Sequence, residues 1–252
     1  MDFPYALRDR RTRRRLSQLE LALRAGTTQR HVSFMETGRS VPGREMVVRL
    51  AESLELPPRE RNDLLLTAGY APVYPDRPLD SPELAAVREA LDAVLTGHLP
   101  YPALVIDRHG DLITANTAFA LLTEGAADEL LEPPLNVYRL ALHPDGMAPR
   151  VGNLAAWGAH VLLGLRRAAG QDPGSRLDAL ATELAPYVPR HPAAEGALGF
   201  AVPLELRSSL GDLRLITTVT TFATATDLAL AELKLEAFLP ADRATALALS
   251  RN

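Results

Sequence analysis

The run Leu16-Ser-Gln-Leu-Glu-Leu-Ala22, followed by Ala25-Gly-Thr-Thr-Gln-Arg30 and Met35-Glu-Thr-Gly-Arg39, decides how the first part of the chain is read. Ser17 and Glu20 have the spacing of a capping box, in which the hydroxyl accepts from a first-turn N–H and the carboxylate reaches back. Leu16, Leu19, Ala22 and Leu23 then begin an apolar helical period, so a helix is predicted there. Gly26 supplies the left-handed conformation of a sharp turn, and Thr28 can cap a second helix. Val32 and Met35 give that helix a narrow buried stripe before Gly38 stops it. Two short helices are thus expected to meet across a glycine-containing turn.

Working outward, a third apolar stripe falls at Val47, Leu50, Ala51 and Leu54, and a fourth at Leu64, Leu65 and Ala68 behind the Pro57-Pro58 start signal. With a first helix from about Pro4 to Arg14, five helices are predicted.

At 252 residues, 47% hydrophobic and 23% charged, the chain can bury more than one core, and a small module plus a larger one is expected. The absence of cysteine excludes disulfides, thiolate catalysis and cysteine-type zinc sites, and fits a reducing compartment. No apolar stretch follows the arginines of the first fifteen residues, and none approaches the ~20 residues of a membrane span, so a cytoplasmic protein is expected. The net charge of −4 divides unevenly. Residues 1–70 hold 13 Arg against 9 Asp and Glu, while the rest hold 14 cationic against 22 acidic residues. Arg makes up 26 of the 27 cationic residues, which favours bidentate contacts but is better explained as a compositional bias of the genome.

From about Tyr5 to Leu66 the glycines, caps and apolar positions, with Pro42, resemble the helix-turn-helix of the phage lambdoid repressors and of the bacterial XRE family. That resemblance implies a lambda-repressor-like module whose second motif helix enters the major groove. Thr28, Gln29, Arg30 and Ser33 would then read bases, since Gln can pair bidentately with adenine and Arg with guanine. Gln18 and His31 resemble the family's phosphate-contacting positions, and Arg39 and Arg44 flank the helix end where a backbone clamp would sit. Where the family often has a polar residue this chain has Phe34, which is expected to pack inward rather than to touch a thymine methyl. The run Arg10 to Arg15 precedes the motif where a first helix would cross the DNA backbone.

Residues 71–80 are rich in proline without any period and read as a stiff connection. Beyond it, Ser81-Pro82-Glu83 opens a helix to about Thr96. Ala103-Leu-Val-Ile-Asp and Leu112-Ile-Thr-Ala flank a hairpin turn at Arg108-His-Gly-Asp. Two or three helices are expected between Asn116 and Tyr187, and a second hairpin over Ala201–Arg207 and Leu213–Phe222 with Leu210-Gly-Asp at its bend. Glu232, Lys234 and Glu236 alternate with Leu233, Leu235 and Ala237, which favours a strand. A mixed sheet with helices on one face, an α+β arrangement in the order of PAS-type sensors, follows.

Pro102-Ala-Leu-Val-Ile-Asp, Asp111-Leu-Ile-Thr-Ala-Asn116, Pro134-Leu-Asn136, Leu142-His-Pro, Asn153-Leu-Ala-Ala-Trp157 and Phe238-Leu-Pro-Ala-Asp242 look like the MmyB-like ligand-binding domain. That likeness spans about 80–250 and implies a PAS-like fold associated with fatty-acid-like ligands. A helix from about Arg150 to Ala169 would place Leu154, Trp157, Val161 and Leu165 on one face, with Gly158 permitting close approach. Such a stripe is more often plain core than a pocket wall. An apolar acid would further need a cationic or amide anchor, for which Arg139, His143, Arg150 and Asn153 are candidates beside Trp157.

No metal-ligand spacing, nucleophile elbow, phosphate loop or dinucleotide turn is present, so no enzyme, metal or cofactor is expected. The sequence therefore reads as a multidomain chain: an all-α five-helix DNA-binding domain at 1–70, a linker at 71–80, and an α+β PAS-like domain at 81–252. The expected function is that of a homodimeric transcription regulator on a pseudo-palindromic double-stranded DNA operator, controlled by a small apolar, fatty-acid-like ligand. A C-terminal domain that only dimerises the protein or recruits a partner is the alternative.

Overall fold

The computed structural model describes residues 2–170, 175–190, 202–222 and 227–251. The chain divides into two compact units, one running to Pro78 and including the segment that ends at Ala231, the other formed by 79–222 and 232–252.

In the first unit, helices α1 (Phe3–Arg13), α2 (Gln18–Arg24), α3 (Gln29–Glu36), α4 (Arg44–Ser53) and α5 (Pro58–Thr67) follow one another as expected. Asp2 caps α1 and Thr28 caps α3. The Ser17–Glu20 capping box closes on both sides, at 3.1 Å from the Glu20 N–H to the Ser17 hydroxyl and 2.7 Å from the Ser17 N–H to the Glu20 carboxylate. Gly26 and Gly38 turn the chain at φ +62 and +72. Leu7, Leu21, Val32, Met35, Val47, Leu50, Leu54, Leu64 and Leu65 are buried in one core.

The apolar face of α2 differs from the expected one. Leu21, Ala22 and Ala25 are buried, whereas Leu19 and Leu23 are 51% and 72% exposed. At 100° per residue Leu19 and Leu23 point away from Leu21, and a seven-residue helix can bury a stripe only one turn wide.

The start of the proline-rich stretch is bound to α5. Asn62 is buried, donates to the Tyr74 carbonyl at 2.7 Å, and accepts from the Val73 and Tyr74 N–H groups at 3.0 and 3.1 Å. The same unit takes in a short helix, α12 (Leu228–Ala231), whose Leu228 N–H donates to the Pro75 carbonyl at 2.8 Å and whose neighbour Asp227 pairs with Arg77 at 3.0 Å.

The second unit begins with a 3₁₀ turn at Pro82–Leu84 and α6 (Ala85–Gly97). Strands β1 (Ala103–Ile106) and β2 (Leu112–Ala115) form the first hairpin, whose turn uses Gly110 at φ +83. Then come α7 (Ala120–Thr123), α8 (Asp128–Leu131), α9 (Val137–Leu142), α10 (Leu154–Ala169) and α11 (Arg176–Leu184). Strands β3 (Leu204–Ser208), β4 (Gly211–Thr221) and β5 (Lys234–Pro240) and helix α13 (Arg243–Leu249) complete it. Ala201, expected to open β3, lies outside the described residues.

Two expectations need correction. Five α-helices rather than two or three are described between Asn116 and Tyr187, because three of them are only four to six residues long and carry no readable period. The sheet, in the order β2-β1-β5-β4-β3, is not mixed: every pairing is antiparallel. One face carries Leu104, Ile106, Leu204, Leu206, Leu213, Leu215 and Phe238 into a core shared with Leu140, Trp157, Leu165 and Leu184. Ala103, Val105, Leu235 and Ala237, on the other face of β1 and β5, are buried as well, so helices on one face alone do not describe it. Gly158 packs α10 closely, since a Cβ there would stand 2.9 Å from a Val188 methyl.

Candidate nucleic-acid interface and ligand cavity

The motif helices are joined at a buried ion pair. Arg11 of α1 donates through Nε and Nη2 to the two oxygens of Glu36 at 2.6 and 2.9 Å, and through Nη1 to the Leu16 carbonyl at 2.7 Å. Gln18, at the start of α2, donates to the same Glu36 carboxylate at 2.8 Å. One carboxylate on α3 therefore locks α1, the turn after it and α2 together. Pairing with Glu36 raises the pKa of the Arg11 guanidinium. With one N–H committed to Glu36, the Gln18 amide keeps a second N–H and its carbonyl.

Of the residues expected to read bases, Thr28, Gln29 and Arg30 are exposed and Ser33 is half-buried, all within the first turns of α3. Thr28 also serves the helix, accepting from the His31 N–H at 3.1 Å, and the His31 ring lies 2.9 Å from the Thr27 hydroxyl. Arg39 and Arg44 are exposed on either side of the turn leading into α4.

Phe34 does not pack inward. It is half-buried and lies outside the core, with the Arg30 guanidinium 5.1 Å and the Arg39 guanidinium 5.9 Å from its ring centre. The inner stripe of α3 is already filled by Val32, Met35 and Glu36, one turn wide, which leaves position 34 on the flank. Part of the arginine run is paired, Arg10 and Arg14 reaching Glu60 at 3.6 and 3.7 Å and Arg13 reaching Asp9 at 2.9 Å, while Arg13 and Arg15 stay exposed.

In the second unit a cavity of about 290 Å³ lies between the sheet and the helices. Its apolar lining includes Phe119, Leu122, Val137, Leu140, Met147, Trp157, Val161, Leu165, Val219 and Phe238. The polar lining groups are Tyr138, His160, Thr217, Lys234 and Glu236. Burial pushes the Glu236 carboxyl up from the usual carboxylate range, against a weaker downward pull from Lys234. Burial likewise raises the Tyr138 hydroxyl and keeps it neutral.

Of the residues proposed from sequence as ligand contacts, Trp157 lines this cavity and the other four do not. Arg139 makes a two-pronged pair with Glu183 at 2.7 Å on each arm. His143 accepts from the Asp145 N–H at 3.1 Å and stands edge-on to Tyr187. Arg150 precedes α10 and donates to the Leu121, Leu122 and Arg207 carbonyls, while Asn153 bridges the Pro203 carbonyl and the Glu205 N–H. Arg139 joins α9 to α11 and His143 holds the turn that follows it, while Arg150 and Asn153 bind backbone groups of other segments, an ordinary use of a polar residue beside a helix end. Lys234 and Glu236 were visible only as the alternation that marks β5, which does not tell what the polar face meets.

A helix-turn-helix whose second helix exposes its first turn, joined to an α+β unit with an apolar cavity, is the arrangement of a two-unit DNA-binding transcription regulator. The family model for the helix-turn-helix matches residues 7–61, and that for the MmyB-like transcription regulator ligand binding domain matches 87–251. The chain belongs to this MmyB-like family. No curated protein matches it at a significant level. Among the described residues no helix is long and apolar enough to cross a membrane.

Proposed function

We propose that the chain is a homodimeric cytoplasmic regulator that binds a pseudo-palindromic operator, with half-sites about one helical turn apart, and whose DNA affinity is set by a small apolar molecule in the cavity of a PAS-like sensor. Thr28, Gln29, Arg30 and Ser33 read bases; Gln18, His31, Arg39 and Arg44 hold the backbone. A fatty-acid-like molecule suits the cavity because its lining is apolar with a few polar groups.

One observation carries the link between sensing and DNA binding. The chain between β4 and β5 contains Asp227 and α12, which pack in the first unit through Arg77 and Pro75. Three residues beyond α12 the chain reaches Lys234 in the cavity wall, and Val219 near the end of β4 lines it too. A shift of either strand on ligand uptake is thereby handed along the backbone to the segment that holds Arg77.

The test compares operator affinity by fluorescence anisotropy with and without a medium-chain fatty acid, in the wild type and in Asp227→Ala. Ligand should change wild-type affinity by roughly 5- to 150-fold, the usual range of allosteric coupling, and Asp227→Ala should bind the acid yet respond less. Unchanged operator affinity at saturating acid would refute ligand control and favour a domain that only dimerises or recruits a partner.

A further inference from the structure

The face of β5 that carries Lys234, Glu236 and Phe238 is the face that meets the helices. Lys234 is paired across the sheet with Ile106 and Glu236 with Leu104, both fully buried, and Phe238 lies in the same core. On β4 the residues opposite are Thr221 for Lys234, Val219 for Glu236 and Thr217 for Phe238, and Leu204, Leu206, Leu213 and Leu215 continue the face beyond Phe238. Both residues are half-buried there, and the burial of the Glu236 carboxyl carries a cost that a structural role would relieve by pairing it. Among the described residues no ion pair joins Lys234 to Glu236 within 4.0 Å, and neither side chain has a hydrogen-bond partner. They stand separately, both in the wall of the cavity.

The identity of the cation adds to this. Lys234 is the single lysine of a chain with 26 arginines. An ammonium is compact, with three donors on a flexible stem, and can serve a small cavity where a planar guanidinium would fill it. Burial favours the neutral form of Glu236, which then offers one O–H donor and acceptor oxygens instead of a charge that would repel an anion. The Tyr138 hydroxyl lies in the same wall.

We propose that the cavity takes a medium-chain acid bearing a second, neutral hydrogen-bonding group close to its carboxylate, the carboxylate being held by Lys234 and the neutral group by Glu236. Residues two apart on a strand are about 7 Å apart, so their side chains can converge on neighbouring carbons of one ligand head. The 290 Å³ volume, at roughly 30 Å³ per water-sized group, holds about ten heavy atoms. A 3-hydroxy acid of about eight carbons meets these requirements, and a plain fatty acid leaves Glu236 without a partner. This assignment rests on the reading of the cavity as the sensing site.

Calorimetric titration of the full-length protein with octanoate and 3-hydroxyoctanoate tests it. The wild type should prefer the hydroxy acid by about five-fold, the worth of one added hydrogen bond. Glu236→Gln, which keeps a neutral hydrogen-bonding head, should retain the preference, and Glu236→Leu should abolish it while still binding octanoate. Lys234→Met should weaken both acids by about ten-fold or more. Equal wild-type affinities for the two acids would overturn the assignment yet leave ligand sensing standing. Failure of both acids to bind, with operator affinity unmoved, would remove the sensing reading and this one with it. The wild-type comparison requires no variant to fold.

Discussion

Replacing Arg11 with Met should unfold the DNA-binding unit locally while leaving the sensor unit intact. The Glu36 side chain is 2% exposed and receives two of its three donors from Arg11. With Arg11 gone, a charged carboxylate remains buried with Gln18 as its one remaining partner among these. Breaking a buried pair from one side costs about 3–5 kcal/mol. A factor of ten per 1.36 kcal/mol makes that roughly two to four decades in the local opening equilibrium. Hydrogen exchange read by mass spectrometry on the full chain can see this separately for each unit. Protection in peptides from α1 and α3 should fall by that amount, and peptides from β1 and β5 should be unaffected. The double variant Arg11→Met with Glu36→Leu should recover most of the loss, because no buried charge is left. A loss under about tenfold in the single variant, or no recovery in the double, would refute the view that Glu36 is the point at which α1, α2 and α3 are locked.

Three further outcomes follow from other contacts. Phe34→Ala removes the ring under Arg30 and Arg39, each contact worth about 0.5–1 kcal/mol, and should weaken operator binding more than binding to random DNA; Phe34→Tyr should restore it in the same anisotropy assay. Gly158→Ala brings a Cβ to 2.9 Å from Val188 and should cost about 1–3 kcal/mol through overpacking, offset in part by better helix propensity, as read from the denaturation midpoint of Trp157 fluorescence. The hydrogen bond from Arg139 holds the Glu183 carboxyl below its ordinary range, so the pair adds stability above that range, near pH 4.3, and loses it as pH falls through the lowered value. The melting temperature of Arg139→Met should accordingly trail the wild type at neutral pH and converge with it in acid.

Much of the architecture could be read from the residues because local chemistry dictated it. Ser17, Gly26, Thr28 and Gly38 act on the chain within four residues of themselves, and all perform the turns and caps expected of them. The alternation from Leu233 to Ala237 marked a strand for the same reason: period two is a property of the backbone. What escaped was decided by distant partners. Glu36 sits one residue after Met35 and looks like the end of an amphipathic helix until Arg11, 25 positions earlier, is brought against it. A Glu adjoining the buried stripe of Val32 and Met35 was the available signal that a cation had to come from elsewhere.

Arg139, His143, Arg150 and Asn153 lie outside the cavity lining for a related reason. Their order along the chain is all that marks Arg139, Arg150 and Asn153 as candidates, and polar residues beside helix ends commonly bind backbone groups instead. Arg150 and Asn153 do so through the Leu121, Leu122, Pro203 and Glu205 peptide groups, and Arg139 is paired with Glu183. A ligand contact has the opposite requirement, since a polar atom that is to meet a ligand must be left unsatisfied by the fold. Lys234 and Glu236 satisfy that condition on a strand far from the stripe, across the cavity from Trp157 and Val161. Among the described residues the Lys234 and Glu236 side chains are therefore kept out of the protein's own hydrogen bonding, and the strand that bears them follows the segment paired with Arg77.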